Sequence, residues 1–194
     1  MTDTANLPSY LQGRAHSEDW YEVAEYHRVK EHNGAPRWEI LCALIRAHGF
    51  GRICEVGVDR GLNAGHILEE CGRFLDLMVL VDKSCFEEFA QRIEAEGWPA
   101  NYIEALSTQA AGFYPDGHFD LVFIDAWHDY RDVRDDIDAW LPKVREGGIL
   151  AGHDWNLPDT GVREAVLETL ALNPINIAED PASGGKKWVW WATV

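Results

Sequence analysis

The residues able to do chemistry stand at the ends of short apolar runs. The run at 53–56 contains Glu55 and opens into Gly57-Val58-Asp59-Arg60-Gly61. The run at 77–81 closes on Asp82, the run at 121–124 on Asp125, and the run at 149–151 leads to His153-Asp154. Glycines behind a buried strand let the backbone approach a ligand closely before the next helix starts. The glycines at 57, 61 and 65 fit the G-x-G-x-x-G spacing of dinucleotide sites badly. On its own the loop is equally a structural strand-to-helix turn. Asp82, 25 residues past Gly57, can accept from both hydroxyls of a ribose. It can also cap the helical segment from Phe86, as can Ser84.

These residues need elements that bring them together. The four runs are unbroken rather than alternating, which predicts strands buried on both faces of a parallel sheet. Helical stretches at 62–70 and 86–95 lie between them. A third helix shows the stripe Tyr130, Val133, Ile137 and Trp140, with acids on its other face. A fourth shows Val162, Ala165, Val166, Thr169 and Leu170, capped by Asp159 or Thr160. A short strand at 101–103 and a closing antiparallel hairpin at 175–178 and 188–193 complete the pattern. The expectation is a Rossmann-like α/β fold: a doubly wound, mostly parallel seven-stranded sheet with helices on both faces. All carboxyl ends of a parallel sheet meet at one edge, where open α/β sheets bind ligands. Residues far apart in sequence should therefore converge on one pocket.

The first fifty residues read as a helical cap on a domain at 51–194, one compact unit overall. Ser17 caps a helix with Trp20, Val23, Ala24 and His27 on its apolar side, ending at Asn33-Gly34. A second helix carries Trp38, Leu41, Cys42 and Ile45 and stops at Gly49.

With 194 residues and 46% hydrophobic content, one well-filled core is expected. A formal charge of −16 repels phosphate backbones and anionic membranes, so neither nucleic acid nor membrane is an expected partner. Residues 1–10 are polar and carry no secretory signal, and no run reaches membrane-spanning length. Four cysteines at 42, 54, 71 and 85 are too widely spaced for a CxxC pair. They read as reduced, partly buried thiols of a cytoplasmic protein. Of nine tryptophans, Trp20, Trp38 and Trp140 fit core stripes, Trp188 and Trp190 share one strand face, and Trp191 takes the other. Trp127 and Trp155 adjoin candidate acids and either wall an acceptor or pack a helix junction.

In their order, Glu55-x-Gly57-x-x-x-Gly61, Val81-Asp82, the stretch F-D-L-V-F-I-D-A-W-H-D-Y at 119–130 and G-G-I-L-A-G-H-D-W at 147–155 resemble class I S-adenosylmethionine-dependent methyltransferases. The nearest branch is the small bacterial one that includes macrocin-type sugar O-methyltransferases and relatives of cephalosporin hydroxylase. The resemblance covers residues 52–155, and F-D-L-V-F-I-D-x-x-H-x-Y is its most specific part. It implies that Glu55, Gly57, Val58, Asp59 and Gly61 hold the methionine end of S-adenosylmethionine. Asp82 and Lys83 would take the ribose, Leu106 and Ser107 the adenine, and Asp125 and Ala126 would lie beside the methyl donor. His128 stands where relatives place a general base, with Asp125 as its catalytic companion. Metal-dependent relatives bind Mg²⁺ at the positions of Asp125, His153 and Asp154.

Histidine suits Zn²⁺, Mn²⁺ or Fe²⁺ better than Mg²⁺, so His153 departs from the usual acidic pair. It reads alternatively as a hydrogen-bonded residue shaping the pocket floor. His128 reads alternatively as a cap on the helix near Tyr130, a role open to Asp129 too. Asp59 replaces a glycine common in other class I enzymes. Methyl transfer requires alignment of donor and acceptor and removal of one proton, which histidine can accept near neutral pH. The implied activity is methylation of a small molecule at a hydroxyl oxygen, by a chain free to form a homodimer. The rival readings are a nucleoside-binding module without turnover, a nicotinamide-dependent oxidoreductase and a hydroxylase-like relative.

Overall fold

The structure is a computed structural model describing residues 26–28, 35–157, 160–181 and 187–194. Strand β1 spans Tyr26–Arg28 and helix α1 Arg37–His48. Then come β2 (Arg52–Val56), α2 (Leu62–Cys71), β3 (Leu77–Asp82), α3 (Glu87–Glu96), β4 (Ala100–Glu104) and α4 (Ser107–Ala111). They are followed by β5 (Phe119–Ile124), α5 (Tyr130–Trp140), β6 (Val144–Gly152), α6 (Val162–Thr169), β7 (Ile175–Asp180) and β8 (Lys187–Thr193).

The strands form one sheet in the order β1-β7-β8-β6-β5-β2-β3-β4. Strand β8 is antiparallel to both neighbours, and the remaining pairings are parallel. The seven expected strands are all present, in a Rossmann-like arrangement with the tail hairpin. The apolar runs are continuous because each strand feeds two cores. Ile53, Leu80, Leu121 and Ile149 pack on one face with α1, α2 and α3. Val56, Val81, Val122 and Leu150 pack on the other with α4, α5 and α6. In β8, Trp190 joins the second core and Trp191 the first, as the alternation of strand side chains requires.

Three local readings differ. The helix expected from Ser17 to Gly34 lies mostly outside the described residues, but Tyr26–Arg28 within it is a strand paired with β7, Tyr26 opposite Ile175. Unsatisfied backbone groups on the edge of β7 outweigh the local helical periodicity around His27. Helix α6 starts from Gly161 without a side-chain cap, and the Thr160 hydroxyl donates to the Leu157 carbonyl instead; Asp159 lies outside the described residues. On α5 the acids do not all face solvent, since Asp136 is buried.

The strand order reverses around β2, which has β3 on one side and β5 on the other. Loops diverge from such a switch point and leave a crevice. Helix α1 ends on Gly49 in the left-handed conformation, as its sequence predicts. No helix among the described residues is long and apolar enough to cross a membrane.

Candidate active site at the carboxyl edge

Beyond β2 the chain stays stitched to both neighbours: Gly57 N–H donates to the Val81 carbonyl at 2.9 Å and Asp125 N–H to the Val56 carbonyl at 2.7 Å. Gly57 has φ +88°, and a Cβ there would lie 2.2 Å from the Asp125 carbonyl oxygen. Gly61 has φ +77° and touches the Phe89 ring in the same way. Both glycines are needed for close approach as well as for conformation. Asp59 also adopts positive φ.

Asp82 clamps this loop. One carboxylate oxygen accepts from the backbone N–H of Val58 and of Asp59, each at 2.9 Å, and the other from Ser84 N–H at 3.2 Å. Neither Asp82 nor Ser84 caps α3, whose first turn has no side-chain cap. Glu55 lies beneath the loop, buried and accepting from the Asn63 side-chain amide at 3.0 Å. Burial first, and then the nearby charge of Asp125, push its carboxyl up to about 8.

The loops after β2, β3, β4 and β5 enclose a cavity of about 610 Å³. Of the expected cofactor residues, Gly57, Asp59, Asp82, Lys83, Leu106, Ser107, Asp125 and Ala126 line it, as does His128. Glu55, Val58 and Gly61 support it from behind. Trp127 stands exposed on the rim with the Lys83 ammonium 4.4 Å from its ring centre. Trp155 is buried in the second core and serves packing. Asp136, a residue the sequence pattern missed, also lines the cavity. Burial pushes its carboxyl up to about 6, while a hydrogen bond with Ser107 works in the opposite direction. Its position three residues after Val133 and four before Trp140 borders the apolar stripe, and that spacing was the available signal.

A second cluster lies at the same edge, beside the cavity. The resemblance brought Asp125, His128, His153 and Asp154 here. The structure adds Arg37 from the start of α1, Asp180 from the end of β7 and Lys187 from the start of β8. His128 Nε2 lies 2.5 Å from Asp154 Oδ2. This close contact with the Asp154 carboxylate raises the imidazole's affinity for a proton above the ordinary histidine value. The cap role falls away: Asp129 is the residue preceding α5, and no side chain caps that helix. His153 is buried, with Nε2 3.0 Å from Asp180 and Nδ1 3.5 Å from both Asp125 and Asp154. Burial alone would make it harder to protonate, but its three carboxylate partners prevail and push it up to about 10. For Asp154 burial opposes ionisation, yet the close contacts of His128 and His153 hold the carboxyl well below the usual range.

A divalent cation would find one donor atom each from Asp125, His128 and Asp154, all within 4.8 Å of one another. In this trio His128 stands where the resemblance placed His153, whose ring nitrogens are committed to carboxylates. The charges around the trio do not suit such an ion. Arg37 Nε is 3.5 Å from Asp125, and Lys187 Nζ is 3.1 Å from Asp154. Both carboxylates thus already face cations of the chain.

A doubly wound sheet in which the last strand, β8, runs antiparallel between β6 and β7, with a cavity at the switch point, is a Rossmann-like methyltransferase fold. The sequence profile of the family described as methyltransferase domain matches residues 54–155, more than half of the chain, and the chain belongs to that family. It is an S-adenosylmethionine-dependent methyltransferase. The fold is similar to that of the O-methyltransferase TomG from Streptomyces achromogenes, involved in tomaymycin synthesis and solved with its cofactor. That pair shares a TM-score of 0.65 and 19% identity over 92% of this chain and 90% of the other. A cofactor-bound protein from MTB gives 0.66 and 20% over 90% and 86%. The 1,6-didemethyltoxoflavin N1-methyltransferase of Burkholderia thailandensis gives 0.60 and 16% over 80% and 76%. No curated protein matches the sequence.

Proposed function

We propose that this chain methylates a small neutral or cationic molecule at a hydroxyl oxygen, with His128 as the general base. The observation that carries this reading is His128 at the cavity wall, paired with the buried Asp154 behind it. The cavity volume is that of a pocket for a molecule of nucleoside size. In this reading the Gly57 loop holds the methionine end of S-adenosylmethionine and Asp82 the ribose hydroxyls. Leu106, Ser107 and Asp136 surround the adenine. When bound, this cofactor supplies an electrophilic methyl group on a positively charged sulfur. Asp154 engages Nε2 of His128, which leaves Nδ1 to take the proton given up by the acceptor hydroxyl. A buried aspartate behind the ring fixes its orientation and stabilises the imidazolium that forms.

Asp59, Asp125, Asp132, Asp135 and Asp136 line the cavity. Their field favours a cationic donor and disfavours an anionic acceptor. The O-methyltransferase TomG and the N-methyltransferase from Burkholderia thailandensis are both small-molecule enzymes by description. A hydroxyl is favoured over an amine because a neutral amine needs no base before it attacks. The motif at 119–130 further suggests the macrocin-type branch. A divalent cation, implied by the same resemblance, has the trio of Asp125, His128 and Asp154 in its favour and the neighbouring cations against it.

Titration calorimetry with S-adenosylmethionine, its demethylated product and NAD tests the cofactor assignment. Both sulfur nucleosides should bind and NAD should not. Asp82→Asn should weaken both by roughly tenfold or more, as expected when a charge-assisted hydrogen-bond acceptor is lost. Wild-type affinity in this variant would remove Asp82 from the ribose site.

A further inference from the structure

We propose that Arg37 and Lys187 together take the place of a divalent cation at the transfer edge, so that methyl transfer here is metal-independent. This rests on reading the cluster as the transfer site. Three carboxylates, Asp125, Asp154 and Asp180, converge there, and Asp154 and Asp180 are fully buried. Buried carboxylates demand a compensating charge. Arg37 spans two of them, with Nε 3.5 Å from Asp125 and Nη1 3.6 Å from Asp180. Lys187 meets Asp154 at 3.1 Å. His153 has carboxylate oxygens facing both ring nitrogens, so neither nitrogen is open to a metal ion. Among the described residues, Arg37 and Lys187 are thus fixed cations held against these carboxylates.

A divalent ion placed among Asp125, His128 and Asp154 would lie within a few ångströms of Arg37 and Lys187. In a partly buried site that repulsion is large. The ion would also have to separate His128 from Asp154. The cations come from the beginning of α1 and from strand β8, so the amino-terminal segment and the tail hairpin complete a charge set that the central motifs leave unfinished.

Manganese alone is the probe, added to full-length protein and read by the electron paramagnetic resonance of the free ion. The wild-type chain should leave that signal at full amplitude. Arg37→Met/Lys187→Met, which removes two cations and keeps apolar bulk, should reduce it stoichiometrically, and adding Asp154→Asn should restore it. A wild-type chain that takes up manganese in a manner abolished by Asp154→Asn overturns the proposal. So does a folded double variant that takes up none, because Arg37 and Lys187 would then not be what keeps the ion out. Circular dichroism checks folding, and if the double variant does not fold, Lys187→Met alone is read in the same way. Turnover, once an acceptor is found, should be unchanged by EDTA. A chain without turnover on any acceptor would sink the methyl-transfer reading while leaving the manganese result standing.

Discussion

The two halves of the carboxyl edge are built differently. On the side proposed to hold the nucleoside, the loops after β2, β3 and β4 shape the cavity through backbone geometry. Gly57 permits a contact that any side chain would block, and Asp82 holds two consecutive backbone N–H groups. On the side proposed for transfer, residues between 37 and 187 meet through charge, with Arg37, Lys187 and three carboxylates arranged around His153. A backbone-shaped cradle can be written as a short motif. A charge-balanced cluster cannot, because each member is useful only when distant partners arrive.

The sharpest way to separate the halves is to remove chemistry without touching the cradle. His128→Ala should lower turnover by about 10²- to 10⁴-fold, the usual worth of a general base. Cofactor affinity measured by calorimetry should stay near wild type. Equal losses in both would mean that the two halves act as one. Stability gives the next largest effect. Asp180 is fully buried between His153 and Arg37. Asp180→Asn leaves their positive charges under-compensated and should cost about 3–5 kcal/mol in chemical denaturation. A loss below about 1 kcal/mol, the range of an exposed ion pair, would show the cluster to be only loosely coupled.

The smallest effect concerns pH and the cradle's underside. Folding raises the Glu55 carboxyl from its ordinary 4.5 to about 8. The folded state thus holds this proton more tightly than the unfolded chain, and the contribution is complete below the ordinary value. It is lost as pH rises from there through about 8. Relative to Glu55→Gln, the wild type should lose stability across that window. Parallel stability curves for the two proteins would place the pH dependence in the transfer-side cluster instead.

Much of the nucleoside side was readable from residue order alone. Unbroken apolar runs ending in Glu55-Val56-Gly57 and Val81-Asp82 specify buried parallel strands and a close-approach loop, because both features depend on neighbours in sequence. Asp136 was missed although its spacing placed it beside the α5 stripe. The same rule that selected Asp82, Asp125 and Asp154 applied to Asp180, since β7 runs parallel to β6 and ends at the same edge. The sequence did not show which direction the tail strands would take, so Asp180 stayed hidden among the acids of an acidic chain.

The amino-acid sequence by itself determined the alternation of strands and helices, the edge at which polar residues gather and the family to which the central motifs belong. These are products of local periodicity and of spacing within short segments. Only the tertiary structure decided that Tyr26–Arg28 pairs with β7, that His128 rather than His153 shares the cavity wall with Asp125, and that Arg37 and Lys187 stand against Asp125 and Asp154. Sheet pairing and burial set those outcomes, because the worth of a buried charge depends on which opposite charges lie within a few ångströms, however distant they are along the chain.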